Sequence, residues 1–405
     1  MKRLLGIALG AALLFPVVFT KETALSAKAE DGFSPSYTIE TLEETQAFPN
    51  LEIKAKSAYV MDVSGENVVY AKDETTRLPI ASMCKIMTLV LCFDEIEKGN
   101  LSLDDHVQVS ERASSMGGSQ VFLEAGGEYT VGELIKSIVV CSANDSCVAM
   151  AEKIAGSESL FTERMNARAK ELGGENTLFA NCTGLPKEPQ YSCAKDVALF
   201  LKELIRHDEY FLFSKIWTDR FTHPKGRYTD ISNTNRLVRF YDGCDGGKTG
   251  FTNQAGFCLA ATAKRGGLRM ISVVIGEKTS DERFRDIRTT FDYAFANYTV
   301  KTVVDCNNPL PQKATVSGGK CRYVAVKPER DSSIVSKKGT QESVSLDIRL
   351  SKGVKAPVKV GDKVGEVVVY RDGIEIDRVK LVACESAKKA DLMDRMKEIA
   401  ENWNE

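Results

Sequence analysis

Helical periodicity runs through the first three quarters of this 405-residue chain and stops near Val303. Before that point, apolar positions at helical spacing alternate with strand-like runs. After it, short apolar segments alternate with turns such as Gly318-Gly319, Gly361-Asp362 and Asp372-Gly373. The last of these, between Val367–Tyr370 and Ile374–Val379, is a hairpin signature. One chain therefore holds two unlike packing problems: a mixed α+β body over 51–300 and an all-β segment over 301–385. Residues 386–405 return to helix, with Leu392, Met396, Ile399 and Trp403 on one face. That stripe suits contact with a membrane interface. Its polar face mixes both charge signs, so attraction to anionic lipid is weak, and packing on the β segment is the competing reading.

The N-terminus predicts export. Lys2 and Arg3 precede an apolar stretch from Leu4 to Phe19, and Ala27-Lys28-Ala29 offers a small-x-small cleavage site. Residues 1–29 thus read as a signal peptide and 30–50 as a polar leader. The apolar run falls short of the ~20 residues of a spanning helix. A formal net charge of -2 gives no reason to expect nucleic acid as a partner. The 11 cysteines, scattered from Cys84 to Cys384, predict free thiols rather than a disulfide frame. No Cys-x-x-Cys pair or histidine cluster supports a metal site.

In the body, Ser57–Met61 and Asn67–Tyr70 read as a hairpin about Ser64-Gly65. Thr130 and Glu133 form a capping box ahead of a helix. Helices follow over about 146–154 and 160–172, and Ser192 is expected to cap another reaching Arg206. After Lys248 the pattern turns to strands: Gly256–Ala263 and Leu268–Ile275 make a hairpin, and Asp281–Ala296 is a closing helix.

Three short motifs occur in order: Ser82-Met83-Cys84-Lys85, Ser142-Ala143-Asn144 and Lys248-Thr249-Gly250. Ser-x-x-Lys alone is weak, since it occurs four times, at Ser82, Ser192, Ser317 and Ser386. Context selects the first. Lys85 is followed by Ile86, Met87, Leu89 and Val90, and a desolvated lysine loses its proton readily. Positions i and i+3 share a helix face, so its amine can reach the Ser82 hydroxyl, while Cys84 points elsewhere. Ser142-Ala143-Asn144 lies between two apolar helices and could be no more than a cap; its chemical reading is a proton-relaying hydroxyl beside an amide. Lys248-Thr249-Gly250 leads toward a strand, and Gly250 lets another backbone approach. Gly243–Thr249 resembles a phosphate loop but is one spacer short and precedes no helix. A histidine triad is disfavoured, with only His106, His207 and His223 and no Gly-x-Ser-x-Gly elbow.

Together these motifs resemble those of low-molecular-mass penicillin-binding proteins, specifically D-alanyl-D-alanine carboxypeptidases. Ala81–Thr88, Gly117-Gly118-Ser119 with Phe122-Leu123, Ser142–Asp145, Asn181–Leu185 and Asp245–Thr252 all carry the likeness. The resemblance implies a penicillin-binding/β-lactamase-like catalytic domain, an antiparallel sheet flanked by helices, then the β-rich domain and the tail helix. It implies a peptidoglycan stem peptide as substrate and β-lactams as covalent inhibitors, with no metal or organic cofactor. It further implies that Ser82 is the nucleophile and Lys85 its base, that Ser142 and Lys248 protonate the leaving group, and that Asn144 holds a substrate carbonyl. The backbone N–H groups of Ser82 and Phe251 would form the oxyanion hole, on a strand that Gly250 keeps close, and Thr249 and Arg283 would bind the terminal carboxylate. Two rivals remain at this point. A β-lactamase on the same fold would need a deacylating carboxylate, for which Glu188 is the candidate, and a non-catalytic wall-binding protein would need none of these groups.

Overall fold

The computed structural model describes residues 48–394 and 396, apart from residue 66. The expected signal peptide, most of the leader and most of the tail helix lie outside the described residues.

A five-stranded antiparallel sheet organises the body. Its strands are β1 (Ser57–Asp62), β2 (Val68–Lys72), β3 (Cys244–Thr252), β4 (Gly256–Arg265) and β5 (Leu268–Glu277), in the order β2-β1-β5-β4-β3. The first and last parts of the body thus meet in the middle, where β1 pairs with β5 from Ser57↔Ile275 to Asp62↔Met270. Strands β1 and β5 are buried along their whole length except for β5's Arg269, as a sheet covered on both faces requires.

The long helices between β2 and β3 are α1 (Lys85–Glu97), α2 (Val131–Cys141), α3 (Asn144–Ala155), α4 (Glu158–Glu171) and α5 (Ala194–Leu204), with three shorter ones of four or five residues beside them; α6 (Ser280–Asn297) follows β5. Helix α1 is buried from Lys85 to Asp94 and lies in the largest core, where its Ile86 and Val90 join Ile135, Val148 and Leu201. Helix α6 closes the other face of the sheet with Phe284, Ile287, Phe291 and Ala294. Among the described residues no helix is long and apolar enough to cross a membrane.

Local expectations differ from the structure in four places. The cap of α5 is Cys193, whose Sγ accepts from Asp196 N. Ser192 is instead held by main-chain bonds to Leu78 and by its Oγ–Thr177 Oγ1 contact of 2.7 Å, so it is not free to cap. Thr130 caps α2 through Glu133 N, but Glu133 turns to Lys136 at 2.9 Å, which leaves the capping box one-sided. Lys248-Thr249-Gly250 lies inside β3 rather than ahead of a strand, because Cys244-Asp245-Gly246-Gly247 already pairs with β4. Finally, residues 386–390 are not helical. Ala387 exchanges main-chain bonds with Val358, and Ala390 N donates to Gly318 O. The helix begins only at Leu392, where Asp391 and Asp394 cap each other's N–H at 2.9 Å.

From Tyr298 to Ala383 the regular structure is all strand. Strands β6 (Tyr298–Val304) and β9 (Ser332–Lys337) pair with each other. Strands β7 (Lys313–Ser317), β8 (Tyr323–Pro328), β10 (Val344–Leu350), β11 (Val354–Lys355), β12 (Lys363–Arg371) and β13 (Ile374–Ala383) form a second sheet, ordered β10-β12-β13-β8-β7-β11. This sheet has its own core of Val316, Val326, Val364, Val367, Val369 and Leu381. The Asp372-Gly373 turn joins β12 to β13 as its sequence predicts.

One buried acid in the body affects stability. Glu277, at the end of β5, is 2 % exposed, and neither carboxylate oxygen finds a donor among the described residues. Burial and then Asp286 push its carboxyl up. Against the pull of burial, Asp286 is held down by Glu277, by Lys54 N at 2.6 Å and by Arg285. The folded protein therefore keeps a proton on Glu277 that the unfolded chain releases. Its contribution is complete at low pH and is lost as pH rises through the raised value. A Glu277→Gln variant is expected to show a flatter fall in melting temperature between about pH 5 and about pH 9 than the parent. Parallel slopes in calorimetry would remove Glu277 as the cause.

Candidate active site

Ser82 sits in a 3-10 turn, Ala81–Cys84, that leads directly into α1. The turn enters through Ala81 at φ 47°, a left-handed value for a non-glycine residue. Lys85 is fully buried at the first position of α1. Its Nζ lies 2.9 Å from Ser82 Oγ and donates to Thr183 O at 2.6 Å. Burial lowers its pKa. An amine held in hydrogen-bond contact with a hydroxyl, and desolvated, can act as a general base.

The loop Asn181–Leu185 supports that arrangement. Asn181 Oδ1 accepts from Gly184 N at 2.7 Å and Thr183 N at 3.1 Å, and its Nδ2 donates to Leu185 O at 2.9 Å. The loop then presents three successive carbonyls to α1. Cys84 Sγ takes Asn181 O at 3.2 Å, Thr88 Oγ1 takes Cys182 O at 2.7 Å, and Lys85 takes Thr183 O. Cys84 thus commits its thiol to this loop, and burial pushes that thiol far up. The Thr183 carbonyl is the functional group that sequence reasoning missed. The signal available for it was the Asn-x-Thr-Gly turn, noted only as part of a resemblance.

The second motif spans the junction of α2 and α3. Ser142 ends α2 at φ 67°, ψ 34°, and Asn144 opens α3. Both are almost wholly buried, and neither Ser142 Oγ nor Asn144 Oδ1 has a hydrogen-bond partner among the described residues. Orphaned buried polar atoms are costly and call for a reason. Asn144 Nδ2 donates to Gly117 O and Asn144 N to Ser119 O, each at 2.7 Å. Next to it, Asp145 accepts from Val121 N and Leu123 N at 3.1 Å. The motif therefore also anchors the 117–123 loop.

The third motif comes from β3. Lys248 is 2 % exposed and bonded to Thr249 O at 3.0 Å. Burial, and then the charge of Lys85, push its pKa well down. The two lysines sense one another, so both are not charged together at low cost. Thr249 Oγ1 donates to Thr234 Oγ1 at 2.8 Å. Gly250 has to be glycine: a Cβ there would stand 2.6 Å from Ile80 O and 3.2 Å from Ser82 N. This close approach seats β3 against the Ser82 turn. Phe251 follows, 51 % exposed, its ring 4.3 Å from that of Phe257. Arg283, on α6, reaches under the strand to Gly250 O at 3.3 Å and Cys258 O at 3.4 Å. Its Nε has no partner among the described residues, and burial first of all lowers its pKa to about 10. Glu188 is exposed and 3.4 Å from Gln254 Nε2, which gives it no special contact with Ser82.

The cysteines are all unpaired. Burial pushes the Cys147 thiol up to about 12 and that of Cys141 to about 11. The thiols around the two lysines are therefore neutral at ordinary pH and poor nucleophiles.

Residues 42–279 match the D-alanyl-D-alanine carboxypeptidase family, and residues 298–389 match the C-terminal domain of penicillin-binding protein 5. The chain is 39% identical to D-alanyl-D-alanine carboxypeptidase DacF of Bacillus subtilis over 351 residues, 86% of this chain and 90% of the relative. It is 30% identical to DacC of Escherichia coli, covering 87% of this chain and 89% of that one. Among solved structures, PBP3 of Streptococcus pneumoniae, a peptidoglycan synthesis regulatory factor, aligns over 83% of this chain and 100% of its own, with a TM-score of 0.70 and 28% identity. Penicillin-binding protein D2 of Listeria monocytogenes in its ampicillin-bound form aligns over 61% of this chain and 100% of its own, with a TM-score of 0.55 and 30% identity.

Proposed function

The chain belongs to the D-alanyl-D-alanine carboxypeptidase family, and from that premise we propose which of its residues carry the reaction. It is a serine-type hydrolase that binds penicillin and acts on peptidoglycan peptides ending in D-alanyl-D-alanine. In our reading Ser82 Oγ attacks the carbonyl between the two D-alanines while Lys85 Nζ takes the hydroxyl proton. The tetrahedral oxyanion is held by the backbone N–H groups of Ser82 and Phe251, each donor worth about 3–4 kcal/mol in comparable sites. The C–N bond then breaks, and Ser142 with Lys248 delivers a proton to the departing D-alanine amine. Water cleaves the ester and restores Ser82. Asn144 holds a peptide carbonyl, and Thr249 with Arg283 holds the terminal carboxylate.

The observation that carries this reading is the 2.9 Å contact between Lys85 Nζ and Ser82 Oγ. The exposed position of Glu188 offers no deacylating base, which weighs against the β-lactamase alternative. The division into a signal peptide (1–29), a leader (30–50), a catalytic domain (51–300), a β-rich domain (301–385) and a tail (386–405) completes the proposal. Export rests on the basic, apolar and small-residue pattern of the N-terminus. Peripheral membrane contact through the tail is supported by the exposure of Leu392, Met393 and Met396.

Incubation with a penicillin followed by peptide mass mapping tests the assignment. The adduct is expected on the peptide containing Ser82, and Ser82→Ala is expected to abolish both the adduct and D-alanine release. An adduct on any other serine would refute it.

A further inference from the structure

A cavity of about 380 Å³ is lined by Arg236, Phe240, Asp281, Phe284, Arg285 and Arg288. Its Phe284 ring is shared with Arg283, one of the two residues proposed to hold the terminal carboxylate. Arg283 and Arg236 sit against the same Phe284 ring, 4.8 Å and 5.8 Å from its centroid. Arg236 also follows shortly after Thr234, the partner of Thr249 Oγ1.

The cavity is cationic, and its charges are unequally committed. Arg285 is bound to Asp286 at 3.1 Å. Arg236 has a loose, solvent-exposed partner in Asp281 at 3.7 Å. Arg288 donates only to a carbonyl, Phe240 O, at 3.4 Å. No carboxylate among the described residues pairs with it. An arginine without a counter-ion, sharing a cavity with a second, weakly paired arginine and with the rings of Phe240 and Phe284, matches a planar anion such as a carboxylate.

We propose that this cavity is an anion subsite on the leaving side of the substrate. It receives a second carboxylate, one borne by the side chain of the residue that departs, with Arg288 and Arg236 as donors. The main-chain carboxylate of that residue stays at Thr249 and Arg283. The inference rests on the roles given above to Ser82, Thr249 and Arg283. It adds a substrate class: peptides in which the D-alanyl carbonyl is joined to an acidic D-residue. The chemistry is unchanged. The ester to Ser82 forms, the C–N bond breaks, and the acidic residue leaves as a free amine that has gained a proton.

The test compares three N-acylated peptides on the full chain at low ionic strength, ending in D-Ala-D-Ala, D-Ala-D-Glu and D-Ala-D-Lys. Arg288→Gln is expected to lower kcat/KM for the D-Glu peptide by about fivefold, as a half-exposed ion pair allows, through KM rather than kcat. The D-Ala peptide should be unaffected, because Arg288 touches none of the reacting groups, and the D-Lys peptide should improve. Arg288→Lys should keep most of the D-Glu activity, and salt should erode the D-Glu advantage. Equal effects of Arg288→Gln on all three peptides, or no effect on D-Glu, would overturn the subsite while leaving the carboxypeptidase reading intact. Failure of the parent chain to cleave any peptide, with Ser82 unlabelled by penicillin, would overturn both.

Discussion

A Lys85→Met variant is expected to acylate Ser82 about 10²- to 10⁴-fold more slowly than the parent, the usual range for loss of a general base. Stopped-flow measurement with a chromogenic cephalosporin reads this directly. Methionine fills nearly the volume that the buried lysine stem fills, so the core keeps its packing. What is lost is the amine between Ser82 Oγ and Thr183 O. Methionine leaves the buried Thr183 carbonyl without its donor, at a cost of about 1–3 kcal/mol, but relieves the cost of burying the amine, and the two largely offset. Slow acylation with an intact thermal transition is therefore the expected pair of results. The same geometry fixes the pH dependence of the parent. Lys85 works as a base only when neutral, and burial lowers its pKa from the ordinary lysine range. The acylation rate should rise with pH and level off below the usual lysine pKa of about 10.4. A profile whose midpoint equals that of a free lysine, or an unchanged rate in Lys85→Met, would remove Lys85 from the base role.

Gly184→Val is expected to abolish acylation altogether. A Cβ at residue 184 would lie 2.0 Å from Ala81 O and 2.9 Å from Ser82 N, and Gly184 itself has φ 81°. The dihedral alone costs about 1–3 kcal/mol for a residue with a side chain. The contact is worse, because both atoms that would have to move belong to the backbone of the nucleophile turn. The turn is already strained at Ala81, so it has little room to retreat. Labelling with a fluorescent penicillin should be lost while far-UV circular dichroism stays close to that of the parent, since the displaced segment is one short turn. Normal labelling would show that the 181–185 loop can shift without disturbing Ser82.

Much of this architecture was legible in the amino-acid order. The i, i+3 spacing of Ser82 and Lys85 and the apolar residues after Lys85 give a buried amine near a hydroxyl. The loss of helical period near Val303 marks the β-rich segment, and Asp372-Gly373 marks its main hairpin. Contacts between distant segments were less visible. The Asn-x-Thr-Gly turn marks a tight loop around Thr183 but not that its carbonyl meets Lys85, because that pairing depends on how α1 packs on a loop nearly a hundred residues later. Ser192 has a good capping side chain, yet its backbone is bonded to Leu78 in a bridge that no local pattern reveals. The beginning of β3 was missed because Gly246 and Gly247 read as a loop, although they pair with Thr262 and Ala261. Residues 386–390 read as helix by extension of the apolar stripe that begins at Leu392, but the amides of Ala387 and Ala390 are claimed by Val358 and Gly318.

The consecutive carbonyls of Asn181, Cys182 and Thr183, each taken by a different side chain of the Ser82 turn and the helix that follows it, tie two remote stretches of chain into a single mechanical part. Such a part cannot drift one position at a time. A change of donor at 84, 85 or 88 strands an oxygen on the opposite side, and a change of loop path strands the donors. Divergent descendants of this chain should therefore alter the two stretches in step or leave both alone, and transplanting either stretch singly between them should yield a protein that folds but no longer reacts.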